Sequence, residues 1–130
     1  MGKTALITHY IQEKKALYYY ATQIRDLQHI EQLALQIIKF INKHYLTNLK
    51  FSDLEQLLLF FSDQLPDDKK IIFAIDEYQE IVKVIPECSS IFQKVWDLHL
   101  QHKQIHLILC GSVISMMHSE TLAYVCAAVW

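Results

Sequence analysis

Residues 70–77 read KIIFAIDE, in which the unbroken apolar run of residues 71–75 ends in two carboxylates. A short continuous run of β-branched and aromatic residues favours a strand buried on both faces, as the strands of parallel sheets are. The carboxyl ends of such strands form the side of an open α/β sheet where ligands bind. Asp76 and Glu77 are therefore predicted to stand at the ligand-binding end of a parallel sheet.

Two further runs have the same character, residues 16–22 (ALYYYAT) and residues 105–110 (IHLILC). Apolar residues at helical spacing surround these runs and predict helices over about 4–14, 26–45, 54–65, 89–102 and 113–124. Asp26 is placed to cap the second of these helices, Ser52 or Asp53 to cap the third, and Pro66 to end it. Strands that alternate with helices predict one α/β domain with a parallel sheet over residues 1–130. The three tyrosines of residues 18–20 are expected in its core rather than on a base-stacking surface.

The composition excludes several classes of protein. The 130 residues are 52% hydrophobic and 20% charged, with a net charge of −2, which is typical of a globular domain. No basic stripe is present, so nucleic acid is not favoured as a direct partner of this segment. No apolar run is long enough for a membrane span. Cys88, Cys110 and Cys126 have no paired spacing and are expected to be reduced core thiols in a cytoplasmic protein.

Gly2, Lys3 and Thr4 match the end of the phosphate-loop pattern GxxxxGK[ST]. A helix that begins here would offer free amides and the positive end of its dipole to phosphate oxygens. Lys3 would reach the β- and γ-phosphates of ATP, and the Thr4 hydroxyl would bind Mg²⁺. The alternative is an ordinary N-terminal Gly-Lys-Thr sequence.

Residues 70–77 resemble a Walker B strand, and the resemblance gives each carboxylate a role. Asp76 would hold Mg²⁺ through water, and Glu77 would orient and polarise the attacking water. Ser112 follows the strand of residues 105–110 and fits a polar sensor of the γ-phosphate. The alternatives are an acidic pair that merely ends a strand and a serine that merely starts a turn.

Five stretches together resemble the archaeal-type P-loop ATPase family, a signal-transducing class related to the AAA group: GKTALI, KALYYYATQ, IIFAIDEYQEIV, the Trp96-Asp97 pair and LILCGSVISMM. The resemblance implies a three-layer P-loop domain in which the strand of residues 70–75 lies in the middle of the sheet. It also implies ATP and Mg²⁺ as cofactors, hydrolysis of ATP, and an effector domain appended to the intact protein.

The chain departs from this family at both ends. The family has a strand and the rest of the phosphate loop before Gly2, and it supplies an arginine beyond Tyr124. We therefore expect an incomplete ATPase domain with weak nucleotide binding and no turnover, and the alternative is an inactive remnant that acts as a protein-interaction module. Without the family's first strand, the edge of residues 105–110 is expected to promote self-association unless the C-terminal tail covers it.

Overall fold

The computed structural model describes residues 15–111 and the strand residues 126–128, and the structural statements that follow refer to these residues. The strands are β1 (Ala16–Tyr20), β2 (Ile71–Asp76), β3 (Ile105–Cys110) and β4 (Cys126–Ala128). The helices are α1 (Asp26–Phe40), α2 (Leu54–Gln64), α3 (Gln79–Val84) and α4 (Cys88–Leu98), with short 3-10 helices at His44–Leu46 and Leu100–His102. The predicted helices over residues 4–14 and 113–124 lie outside the described residues.

The four strands form one sheet in the order β1-β2-β3-β4. β2 pairs in parallel with β1 on one side and with β3 on the other, so the prediction of three parallel strands with residues 70–75 in the middle is confirmed. In this register Tyr20 lies opposite Asp76, and Ile75 lies opposite Leu109. The last residues of the three parallel strands therefore meet at one end of the sheet, which we call the carboxyl edge.

β4 pairs antiparallel with β3, with Cys126 opposite Cys110 and Ala128 opposite Ile108. The C-terminal tail thus covers the upper half of the edge that was expected to be exposed. Self-association was predicted only for a chain whose C-terminal tail leaves this edge uncovered. Self-association itself stays a prediction. Within the described residues, the outer side of β1 has no strand beside it.

Alternation of side chains along the strands creates two apolar faces. Phe73 and Ile75 of β2 belong to the large core cluster, which also contains buried apolar residues from all four helices. Ile72 and Ala74 point the other way and form a smaller cluster with Ile108 of β3. The described helices therefore pack on one face of the sheet, and the three-layer arrangement stays a prediction.

α1 ends at Phe40, so it is shorter than the predicted helix over residues 26–45. Asn42 adopts a left-handed conformation with φ 60°. Its amide donates to the Lys39 carbonyl at 3.1 Å, and the Lys43 amide donates to the Ile38 carbonyl at 3.2 Å. These two bonds form a Schellman cap, for which asparagine is one of the few suitable residues after glycine.

The two predicted helix caps have different outcomes. Asp53 is the N-cap of α2, and its carboxylate accepts a hydrogen bond from the Gln56 amide at 2.8 Å, as predicted. The prediction of Asp26 as a cap is wrong, because Arg25 is the N-cap of α1. Its amide donates to the Gln28 side chain at 3.0 Å. Asp26 instead lies in the first turn, where a carboxylate is favoured by the helix dipole.

Two further differences concern short helices. The predicted helix over residues 89–102 is α4, which begins at Cys88 and ends at Leu98, followed by a separate 3-10 turn. The sequence did not predict α3, whose six residues are too few for a helical period to be visible. This short helix begins two residues after Glu77, so it shapes the carboxyl edge.

Candidate functional site

Asp76 is the last residue of β2 and is fully buried. The Tyr18 hydroxyl donates to its Oδ2 at 2.8 Å, and the Glu77 amide donates to its Oδ1 at 2.9 Å. A buried carboxylate without donors is costly, so these two bonds stabilise the charge where the strand places it. Because one donor is on β1 and the other follows β2, they also fix the plane of the carboxylate.

Glu77 adopts a left-handed backbone conformation with φ 55°. This conformation costs a residue with a Cβ atom about 1–2 kcal/mol, and such strain persists only where the surrounding structure imposes it. The next residue supplies the restraint, since the Tyr78 amide donates to the Cys110 carbonyl at 2.7 Å. That bond ties the turn after β2 to the end of β3.

The Glu77 carboxylate lies against the Gln79 side chain, whose Nε2 donates to it. Gln79 is only 6% exposed, and its Nε2 also lies 3.5 Å from Oε2 of Glu80. Glu80 in turn forms a 3.0 Å ion pair with Lys83 one helical turn later. The first turn of α3 therefore holds the Glu77 side chain, which the sequence predicts to orient water.

Two of the predicted site residues, Asp76 and Glu77, stand together at the carboxyl edge as predicted. The other predicted ligands, Gly2, Lys3, Thr4 and Ser112, lie outside the described residues. Gly111, which immediately precedes Ser112, is buried at the end of β3. The convergence of the phosphate ligands on the two carboxylates therefore stays a prediction.

The chain is similar to two proteins of Methanocaldococcus jannaschii. It is 30% identical to the uncharacterized protein MJECL04 over 124 residues, which are 95% of this chain and 25% of that protein, so it spans about a quarter of its length. It is 31% identical to the uncharacterized protein MJ0424 over 93 residues, which are 72% of this chain and 88% of that protein. The chain belongs to the MJ0424 family. No protein-family model matches the chain, and no solved structure does.

Sequence reasoning missed two residues of the site in this member of the MJ0424 family. Tyr18 was expected to be a core residue, yet its hydroxyl contacts Asp76, 58 positions away in the sequence. Only the parallel register of β1 and β2 brings the two together, and no local pattern reveals a register. Gln79 was also missed. Its place two residues after Glu77, in a tight turn, was a signal that its side chain could reach the Glu77 carboxylate.

A magnesium ion at the carboxyl edge would have few protein ligands. Within residues 15–111, no group of three or more histidine, cysteine or carboxylate side chains could hold a metal ion. Mg²⁺ commonly keeps several waters and takes one or two carboxylates together with substrate phosphates. Asp76 fits that chemistry, while a site made only of protein side chains is not formed by the described residues.

A buried histidine lies on the helical side of the sheet, next to the carboxyl edge. His29 of α1 is 2% exposed, and its Nδ1 lies 2.6 Å from the hydroxyl oxygen of Tyr19. Burial lowers the pKa of His29, against a smaller raising effect of Glu80, and burial raises the pKa of Tyr19 to about 12. Both groups are therefore neutral at physiological pH.

The cysteines differ from the prediction of three reduced thiols. Cys88 is free and fully buried, and its burial raises the pKa of its thiol to about 12. Cys110 is disulfide-bonded, so the prediction is wrong for this residue. The antiparallel register of β3 and β4, which sequence spacing does not reveal, places the backbone of Cys126 opposite it.

A cavity of about 620 Å³ lies at the opposite end of the sheet from Asp76 and Glu77. Its polar lining consists of Lys15, Lys70, Gln104 and His106, over a floor of isoleucines at the start of β2 and β3. Among the described residues, no carboxylate lines this cavity. No helix among the described residues is both long enough and apolar enough to cross a bilayer.

Proposed function

We propose that the chain is the ATP-binding domain of an archaeal-type P-loop ATPase, with Mg²⁺ as its cofactor. The observation that carries the proposal is the pair of carboxylates, Asp76 and Glu77, at the carboxyl end of β2, the middle one of three parallel strands. Open α/β sheets bind their ligands at this end of the strands. The resemblance of residues 70–77 to a Walker B strand supports the same assignment.

Asp76 and Glu77 have different surroundings, which suit different roles. Asp76 is fully buried and hydrogen-bonded at both oxygens, so it is a fixed negative charge suited to accept hydrogen bonds from water on Mg²⁺. Glu77 is partly exposed and is held by Gln79 in the turn after the strand. That position suits a carboxylate that orients and polarises a water molecule for in-line attack on the γ-phosphate.

The remaining groups of the proposed site come from the family resemblance. Lys3 and Thr4 would contact the phosphates and the metal, and Ser112 would sense the γ-phosphate. The bond between the Tyr78 amide and the Cys110 carbonyl supports this arrangement, because it holds the turn of Glu77 beside the end of β3. In the sequence, Ser112 follows Cys110 by two residues.

A calorimetric titration with ATP tests the proposal on the chain of residues 1–130. We expect weak binding that strengthens when Mg²⁺ is present. Asp76→Asn keeps the shape of the side chain and removes its charge, so it should weaken binding by about tenfold in Mg²⁺, a typical effect of outer-shell partners of a metal. In EDTA the same substitution should leave ATP binding unchanged or slightly strengthen it, because a negative charge near the phosphates is lost.

Asp68→Asn is the matched control, because Asp68 is an exposed carboxylate before the start of β2, at the far end of the same strand. It makes the same charge change and should not alter either titration. Glu77→Gln should leave Mg-ATP binding in place, since the proposal gives Glu77 a role in turnover. Binding that is absent at millimolar ATP, or that Asp76→Asn and Asp68→Asn weaken equally, would contradict the proposed function.

A further inference from the structure

The hydrogen bond between Tyr18 and Asp76 joins two strands at the carboxyl edge. Tyr18 lies on β1 opposite Ala74, two residues before Tyr20, which is opposite Asp76. Its side chain reaches diagonally along the face that Ala74 shares, and its hydroxyl donates to Asp76 Oδ2 at 2.8 Å. Diagonal neighbours on paired strands are within reach of long aromatic side chains.

The other two tyrosines of β1 have different environments. Tyr19 points to the opposite face of the sheet, where it is 1% exposed and contacts His29. Tyr20 is 50% exposed at the end of the strand. Of the three consecutive tyrosines, Tyr18 is therefore the one whose hydroxyl donates to the candidate metal-binding carboxylate.

The geometry of the two donors restricts the Asp76 side chain. The Glu77 amide donates to Oδ1 and the Tyr18 hydroxyl donates to Oδ2, so rotation about the Cβ–Cγ bond of Asp76 would break both hydrogen bonds. Hydrogen bonds from outer-shell groups orient metal-binding carboxylates in this way. The backbone donor is fixed by the turn, whereas the hydroxyl can be removed by substitution.

We propose that Tyr18 is a positioning residue for the metal: its hydroxyl fixes the orientation in which the Asp76 carboxylate meets the hydrated Mg²⁺ of a bound Mg-nucleotide. This proposal rests on the proposed function and adds to it a residue on a different strand. Tyr18 acts through Asp76 and does not itself carry out chemistry. Its removal therefore affects metal-dependent binding of the nucleotide and leaves metal-free binding in place.

Electron paramagnetic resonance of Mn²⁺, used in place of Mg²⁺, tests the proposal on the whole chain. Mn²⁺-ATP is titrated into the unaltered protein, Tyr18→Phe and the control Tyr20→Phe, and ATP binding in EDTA is measured on the same samples. We expect Tyr18→Phe to weaken Mn²⁺-ATP binding by about tenfold, as the loss of an outer-shell partner does. Its binding of ATP in EDTA should match the unaltered protein, and Tyr20→Phe should match it in both measurements.

A double substitution separates positioning from a general structural role. If Tyr18 acts through Asp76, then Tyr18→Phe has no further effect on Mn²⁺-ATP binding once Asp76→Asn is present. The proposal is overturned if Tyr18→Phe binds Mn²⁺-ATP as the unaltered chain does. It is also overturned if binding in EDTA falls by the same factor, or if the two substitutions act independently. Failure of the unaltered chain to bind Mn²⁺-ATP would instead overturn the proposed function, and this proposal with it.

Discussion

Glycine usually makes a protein less stable than alanine does, and we predict the reverse at Glu77 because its backbone is left-handed. Glu77 has φ 55°, where a Cβ atom costs about 1–2 kcal/mol. Glycine avoids that cost but loses roughly 0.5–1 kcal/mol through its greater freedom in the unfolded chain. Both Glu77→Gly and Glu77→Ala lose the contact with Gln79, so that contact cancels in the comparison. We therefore expect Glu77→Gly to be more stable than Glu77→Ala by up to about 1.5 kcal/mol.

The control is an ordinary helical position. Gln32 is exposed in the middle of α1, where Gly is less stable than Ala by about 0.8–1 kcal/mol. Urea denaturation followed by circular dichroism measures all four variants without ligand. A difference of 1 kcal/mol also corresponds to a shift of roughly 4 °C in Tm for a domain of this size. If glycine is as unfavourable relative to alanine at position 77 as it is at position 32, the backbone strain at the site does not exist.

Two further predictions use the buried titratable groups. Burial lowers the pKa of His29, so between that lowered value and 6.5 the unfolded chain binds a proton that the folded chain does not. The free energy of unfolding should therefore decrease as pH falls below 6.5, by at most about 1.4 kcal/mol per pH unit. Urea titrations measure this slope. His29→Gln should reduce it, whereas His99→Gln, at an exposed position, should not. Because the pKa of the buried Cys88 thiol is raised to about 12, iodoacetamide should modify Cys88 slowly at pH 8 and quickly in urea, as measured by mass spectrometry. Equal slopes for the two histidine variants, or equal labelling of Cys88 in both solutions, would contradict the burial of these groups.

The sequence was most informative about the elements that local composition is sufficient to predict. The apolar runs predicted β2 and β3 to within one residue, because a strand buried on both faces needs such a run. The position of Asp76 and Glu77 at the carboxyl edge followed from their place after one of these runs. The order of the parallel strands came from the family resemblance, since periodicity says nothing about which strand is central.

What the sequence did not predict depends on turns and on distant pairing. The Schellman cap at Asn42 ends α1 five residues before the apolar pattern does, and nothing in the periodicity marks it. The bond between Tyr18 and Asp76 requires the register of two strands that are far apart in the chain. The disulfide at Cys110 likewise belongs to a strand whose neighbour, β4, was not predicted as a strand.

Paramagnetic broadening by Mn²⁺-ATP tests the proposed function most directly, because it locates the metal. Asp76 and Ile71 are at opposite ends of β2, roughly 16 Å apart at the rise of a strand, and broadening falls steeply with distance from Mn²⁺. In a nitrogen-15 NMR spectrum of the chain, we predict loss of the amide signals of Asp76, Glu77 and Gly111 when Mn²⁺-ATP is added. The signals of Ile71 and Ile105 should remain. Broadening centred on Ile71 and Ile105, or uniform along β2, would contradict a magnesium-nucleotide site at the carboxyl edge.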